Sequence, residues 1–376
     1  MASVLKIIHL LLAYGALFPT PPPNGSVGGG VPRSHLPQSP AALGRSLFGT
    51  AQIEPEPYFL GLGCFQTARH SLQRRTLCPT PASTRMNERM DTIEIFDGIR
   101  FPGFMHTLES LKAACAFQFQ DTDILLVTFP KSGTTWMQQV LSLIFCKGHL
   151  WPIHHLPNWA RMPWIEQSSF SSLLPKLNSS WPRLLTSHLS AKVLAPALMK
   201  SKAKVVYMAR NPKDTLVSFY YFHRIAGFLP EPGSFEDFVD EFLEGTGFFG
   251  SWFDHVKGWL GLQKDLNLLF VTYEELHQEP RRTIQKLSEF LGQSLGPEEE
   301  DVILEHCSFS FMSQSSMVNY SLLSKEIIDH SQGKFLRKGI VGDWREHFTS
   351  ELDEKFNAVY QSKIGDSGLC LPWTMD

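Results

Sequence analysis

"DILLVTFPKSGTTWMQQVLSLIF" (residues 123–145) joins a short apolar run to a helical pattern through a turn of small polar residues. By length and β-branched content, "DILLVTF" (123–129) reads as a parallel strand buried on both faces. From Thr134 onward, Trp136, Val140, Leu141, Ile144 and Phe145 recur at helical spacing, which puts them on one helix face. Between the two, Lys131 comes first, then Ser132, Gly133, Thr134 and Thr135. A Walker A loop has the opposite order, with lysine after the last glycine. The geometry is still that of an anion cradle. A strand entering a helix through a glycine-containing turn aims backbone N–H groups at one spot, where the helix dipole adds roughly half a positive charge. Gly133 permits close approach, the hydroxyls add donors, and Lys131 stands at the rim as a point charge. The bland alternative is an ordinary strand–helix turn with solvated hydroxyls.

Outward from this loop the same alternation continues. "KVVYMAR" (204–210) is a second buried strand, followed by "NPKDTLVSFYYFHR" (211–224), a helix with Asn211 as N-cap, Pro212 first and Asp214 third. "LNLLFVTYEEL" (266–276) reads as a third strand, and "RRTIQKLSEFLG" (281–292) as a helix closed by Gly292. This is the pattern of an α/β domain, a central parallel sheet flanked by helices with a P-loop-like first turn. No internal repeat interrupts it. Arg210 falls at the carboxyl end of its strand, the edge where open α/β sheets bind ligands. Ser218, two turns into the next helix, is within reach of a second phosphate. "RKGIVGDW" (337–344) adds Arg337, Lys338 and Gly339, a third anion contact suited to a ligand with two separated phosphate groups.

Composition limits the function classes. With 376 residues, 43% hydrophobic, and 9 Trp and 28 Phe, the chain can bury a large core. A net charge of −3 and a pI near 6.5 supply no field for nucleic acid or anionic lipid, so an anion site has to be a local pocket. Cys64, Cys78, Cys115, Cys146, Cys307 and Cys370 are scattered without a C-x-x-C pair and read as free thiols of a reducing compartment. Residues 7–18, "IIHLLLAYGALF", are too short to span a bilayer but would serve as a signal-peptide core. The Pro-, Gly- and Ser-rich stretch behind them cannot form a core. Residues 1–85 are therefore expected to be an appendage with a short apolar run, and residues 86–376 the folded domain. "PEEEDVILEH" (297–306) clusters acids where a helix dipole favours them, a structural feature. His154 and His155 read as surface residues.

Together these segments resemble the cytosolic sulfotransferases that use 3'-phosphoadenosine 5'-phosphosulfate (PAPS). That family's Y-P-K-S-G-T-T-W is here Phe129 to Trp136, its R-N-P-[KR]-D-x-x-V-S is Arg210 to Ser218, and its R-K-G-x-x-G-D-W is Arg337 to Trp344. "GSWFDHVKGW" (250–259), "YEEL" (273–276) and "MVNYSLLS" (317–324) match as well. The likeness covers about residues 95–350 and implies the fold and the chemistry of the family.

By that resemblance Lys131, Ser132, Gly133, Thr134, Thr135 and Trp136 cradle the 5'-phosphosulfate. Arg210 and Ser218 hold the 3'-phosphate with Arg337, Lys338 and Gly339. Trp136 and Tyr273 flank or hydrogen-bond the adenine, and Cys307, Ser308, Phe309, Ser310, Phe311 and Met312 close over the nucleotide. The base falls in "LTSHLS" at His188, which takes the acceptor's proton, while Lys131 neutralises the departing oxygen. No metal is called for, since protein cations do the electrostatic work.

The acceptor is expected to be a small apolar hydroxyl compound in a pocket drawn from Phe101, Phe104, Phe170, Phe222, Phe228 and Trp164. Thr186 stands where phenol-type members carry lysine, which leans toward an alcohol or steroid, while other segments resemble amine- and phenol-type members. The family's dimer segment departs at Arg345 and Ser350, leaving a homodimer by that route open. The alternatives are a lumenal carbohydrate sulfotransferase, which would need residues 7–18 as a targeting segment, and a nucleotide-binding protein without turnover.

Overall fold

The computed structural model describes residues 92–174, 177, 182–369, 371–373 and 375. The apolar run at 7–18, the appendage and its boundary near Met86, and Cys64, Cys78 and Cys370 lie outside them. A hairpin of β1 (Ile93–Phe96) and β2 (Ile99–Pro102) precedes the main sheet. That sheet consists of β3 (Ile124–Thr128), β4 (Leu184–Ser187), β5 (Lys204–Ala209) and β6 (Asn267–Thr272), in the order β4-β3-β5-β6 with every pairing parallel. Register sets Leu126 opposite Thr186 on one side and Val206 on the other.

Strand periodicity sends alternate residues to opposite faces, and both faces are covered. Leu125, Val127, Val205 and Tyr207 pack with Leu194 of α3 (Ala191–Leu198) and Trp259 of α6 (Trp252–Gly261). Leu126, Val206, Met208 and Val271 pack with Met137 and Val140 of α2 (Thr134–Cys146), Ile284 of α8 (Pro280–Leu291) and Ile303 of α9 (Pro297–His306). The sheet lies between two helical layers, as the alternation implied. The other helices of eight residues or more are α1 (Leu108–Cys115), α4 (Pro212–His223), α5 (Phe235–Glu244) and α11 (Ser350–Ile364); α7 (Tyr273–Gln278) and α10 (Phe309–Gln314) are among the shorter ones.

Two sequence expectations need correcting. Helix α2 is buried on every side except at Trp136 and Cys146, so it has no single apolar face. Its polar side is sealed by hydrogen bonds: the Gln138 amide donates to Met162 O and Thr186 Oγ1, and the Gln139 amide donates to His306 O. The third strand ends at Thr272, because the Thr272 hydroxyl accepts the Glu275 N–H and starts α7 there. Elsewhere the local signals hold. Asn211 caps α4 by accepting the N–H groups of Lys213 and Asp214, and Gly292 ends α8. Glu298, Glu299 and Glu300 fill the first turn of α9, where Glu300 pairs with Arg281 at 2.8 Å. His154 and His155 are exposed.

Every strand of the main sheet ends on the same edge. Lys131 follows β3, His188 follows β4, Arg210 follows β5 and Tyr273 follows β6. Topology alone therefore gathers the candidate residues at the carboxyl edge of a parallel sheet.

Candidate active site

The first turn is built by backbone strain and close contact. Ser132 N–H donates to Phe129 O at 3.2 Å, Lys131 adopts φ +66° and Gly133 φ +101°. A Cβ on Gly133 would come within 2.8 Å of Tyr273 and 2.9 Å of Met208, so only glycine fits. The first N–H groups of α2 have no partner within the helix. The Thr128 and Thr134 hydroxyls bond each other at 2.6 Å. Ser132 Oγ, Arg210 Nε and Arg337 Nε are buried polar atoms without a hydrogen-bond partner among the described residues. An anion with several oxygens matches the two guanidinium donors, whose residues line the cavity.

The second and third motifs are locked together. Asp214, read from sequence only as a helix-start acid, accepts Gly342 N–H at 2.7 Å and Trp344 N–H at 3.0 Å. Arg210 Nη2 donates to Ile340 O at 2.9 Å, and its guanidinium lies 4.2 Å over the Tyr273 ring. Arg337 and Lys338 both pair with Asp343, and Lys338 also reaches Glu346 at 2.7 Å. Gly339 turns at φ +70°, where a side chain would overlap the Phe309 ring. Trp136 and Tyr273 meet edge to face at 5.1 Å between ring centres.

His188 is held at two points. Its Nδ1 lies 2.8 Å from Thr128 O, a pure acceptor, so Nδ1 carries the proton and Nε2 the lone pair. Its backbone N–H donates to Glu166 Oε1 at 2.7 Å. Burial lowers the imidazole pKa to about 4, with Lys131 pushing the same way and the Thr128 carbonyl opposing. Burial likewise lowers Lys131 to about 7, helped by the charges of Arg210 and Arg337. Lys131 is not at a solvated rim: its ammonium sits 4.3 Å from the Phe222 ring centre and 4.1 Å from that of Phe335.

One cavity of about 680 Å³ joins these groups. Lys131, Gly133, Thr134, Thr135, Trp136, His188, Arg210, Ser218 and Tyr273 line it, as do Cys307, Ser308, Phe309, Met312, Arg337, Lys338 and Gly339. Ser132, Ser310 and Phe311 do not: Ser132 is enclosed in its turn, Ser310 is exposed, and Phe311 packs on His306. Of the expected pocket aromatics, Phe104, Trp164, Phe222 and Phe228 line the cavity, whereas Phe101 and Phe170 belong to the core. Thr186 is fully buried, donating to Met162 O at 2.8 Å and accepting from Gln138, and it does not line the cavity. The lean toward an alcohol from that position therefore loses its direct basis. Ser350 is exposed at the start of α11 and Arg345 lies over the Trp344 ring.

Sequence reasoning missed Phe249, Phe335 and Glu166. Glu166 is fully buried, and burial raises its carboxyl to about 7. No motif marks it, because its partner is a backbone N–H 22 positions away. Removing the acceptor would strand that buried N–H and loosen the imidazole. Glu166→Ala should lower kcat by about 10-fold, and Glu166→Gln, which keeps an acceptor oxygen, by less than about 3-fold. Equal losses in the two variants would show that the hydrogen bond is not what matters.

Comparison with known proteins adds an independent line. A family model described as the sulfotransferase domain matches residues 121–368. The chain is 45% identical over 270 residues to Sulfotransferase 2B1 of Mus musculus, covering 72% of this chain and 79% of that protein. It is 40% identical over 280 residues to the 3-beta-hydroxysteroid sulfotransferase of Cavia porcellus, covering 74% and 96%. Among solved structures, mouse sulfotransferase SULT7A1 complexed with PAP aligns with a TM-score of 0.62 at 30% identity, covering 73% of this chain and 96% of that one.

Proposed function

The chain belongs to the sulfotransferase domain family and is a sulfotransferase enzyme; from that premise we propose that it moves the sulfuryl group of PAPS to the hydroxyl of a small apolar acceptor, with His188 as base. The observation that carries this reading is the pinned imidazole: Nδ1–H bound to Thr128 O, leaving Nε2 for a cavity that also contains Lys131 and Arg210. PAPS supplies an activated sulfur with a phosphate leaving group. Lys131 and the first N–H groups of α2 would hold its 5' end, and Arg210, Ser218, Arg337, Lys338 and Gly339 its 3'-phosphate. The cations now paired with Asp343 can be shared with that phosphate. As the acceptor oxygen bonds to sulfur, Nε2 takes its proton, and the bond from sulfur to the bridging oxygen breaks. Lys131 offsets the charge that this oxygen gains.

A hydroxysteroid is the acceptor we favour. The apolar walls Phe104, Trp164, Phe222, Phe228 and Phe249 support it, as does the named activity of the guinea-pig relative. We further propose that the catalytic unit begins near Met86 and works in the cytoplasm. The family match lies within residues 121–368, no described helix is long and apolar enough to cross a membrane, and Cys115, Cys146 and Cys307 are free thiols. Initial rates of sulfate transfer to steroid alcohols, phenols, aliphatic alcohols and amines test the acceptor class. Steroid alcohols should lead; transfer confined to amines would sink the choice.

Arg210 tests the nucleotide pose. Arg210→Ala should weaken binding of 3'-phosphoadenosine 5'-phosphate (PAP) by about 10- to 100-fold, the worth of a charge-assisted hydrogen bond. Adenosine 5'-phosphate, which lacks the 3' group, should bind wild type and variant alike. If the variant loses both nucleotides equally, Arg210 does not read the 3'-phosphate.

A further inference from the structure

The position of Lys131 raises a question that the transfer chemistry does not answer. Its ammonium has no hydrogen-bond or ion-pair partner among the described residues and instead lies over two phenyl faces, Phe222 at 4.3 Å and Phe335 at 4.1 Å. The two rings meet edge to face, 5.7 Å apart, and come from segments distant in sequence: Phe222 from the end of α4, Phe335 from just before Arg337. Each ring also contacts another aromatic side chain, Phe222 with Phe228 at 6.0 Å and Phe335 with Tyr320 at 4.2 Å. All three clamp members line the cavity, together with the apolar residues Phe104, Trp164, Phe228 and Phe249. A cation between two aromatic faces is attracted by both, most strongly where water is excluded.

From this geometry we infer that Phe222 and Phe335 form a clamp that competes with the anion cradle for the Lys131 ammonium, tying vacation of the space between the rings to filling of the cradle. The inference rests on reading the cradle as the PAPS site. An ammonium drawn to a 5'-phosphate oxygen leaves the ring faces, and the space it leaves is apolar and belongs to the acceptor side of the cavity. Nucleotide binding thus clears room for the acceptor. By linkage, an acceptor seated on the rings favours the lysine in the cradle. The repulsion from Arg210 and Arg337, which helps hold the lysine's charge down, is relieved once an anion lies among the three cations.

The clamp makes an unusual demand. Because it stabilises the alternative position of the lysine, deleting a ring should improve nucleotide binding. Titration of the full chain with PAP should show Phe222→Leu and Phe335→Leu each tightening Kd by about 3- to 30-fold, the span of cation–π contacts from exposed to desolvated. In a Lys131→Ala background the same substitutions should leave Kd unchanged, closing a double-mutant cycle. A variant that merely damaged the fold would lose affinity. The pair guards against trouble at either site: Phe335 adjoins the Arg337 loop, whereas Phe222 sits on a helix. Weaker or unchanged PAP binding in both variants overturns the clamp, as does tightening that persists without Lys131. A wild-type chain that fails to bind PAP overturns the nucleotide reading itself, and the clamp with it.

Discussion

His188→Asn is expected to lower kcat by roughly 10²- to 10⁴-fold, the span of a lost general base, with little change in the Kd for PAP. Asparagine can still donate an N–H toward Thr128 O, the contact that fixes the ring at 2.8 Å, but it has no basic nitrogen at neutral pH. Nucleotide contacts come from other segments and should survive. The pH dependence follows from the environment of the ring. Burial holds the imidazole at about 4, so it is protonated only below that value and neutral above it. If His188 is the base it should be competent across the neutral range, and its loss should appear only as pH falls toward 4. A variant retaining a large share of the rate would require another base. An acid limb in wild type centred near 6.5 would show that the ring is not desolvated as the structure has it.

Lys131→Ala should be nearly as damaging, lowering kcat by roughly 10²- to 10³-fold, the scale for removing one preorganised charge. Binding of PAPS should change much less, because its bridging oxygen has not yet gained the charge on which the ammonium acts most strongly. The titration of Lys131 gives a second readout. Its pKa of about 7 without an anion is set by burial and by Arg210 and Arg337. A phosphate beside it raises that value, so the lysine's contribution to affinity is full below about 7 and is lost as pH rises through the raised pKa. At pH 8, PAP binding should take up a proton, visible as a calorimetric heat that varies with buffer, and Lys131→Ala should abolish that dependence. Equal losses in turnover and affinity would reduce Lys131 to a ligand contact.

How far the sequence disclosed this site depends on the range of each interaction. The β3 turn into α2 was legible because its signals are local: an apolar run, a glycine forced to φ +101° and a helical repeat. The end of β6 was not, because "VTYEEL" stays apolar enough for a strand while the decisive Thr272-to-Glu275 cap is a single side-chain bond. Asp214 was visible as a helix-start acid, but its bonds to Gly342 and Trp344 cross 128 and 130 positions. Glu166 serves a backbone N–H, which leaves no trace in residue type. The lysine clamp needs Phe222 and Phe335 beside Lys131, and no spacing rule joins them. Motif matching also extended too far. Ser310 and Phe311 fall within a matching segment, yet α10 turns them away from the cavity.

The transfer itself is the claim on which the rest depends. The full chain should be incubated with PAPS labelled at sulfur and a 3-hydroxysteroid, and the label followed into the steroid ester while PAP is counted. The expected result is labelled ester formed one-for-one with PAP in wild type, and almost none with His188→Asn although that variant still binds PAP. Two results would contradict it: PAPS bound but recovered intact with acceptors of all four classes, or label released only as inorganic sulfate at a rate indifferent to acceptor and to His188.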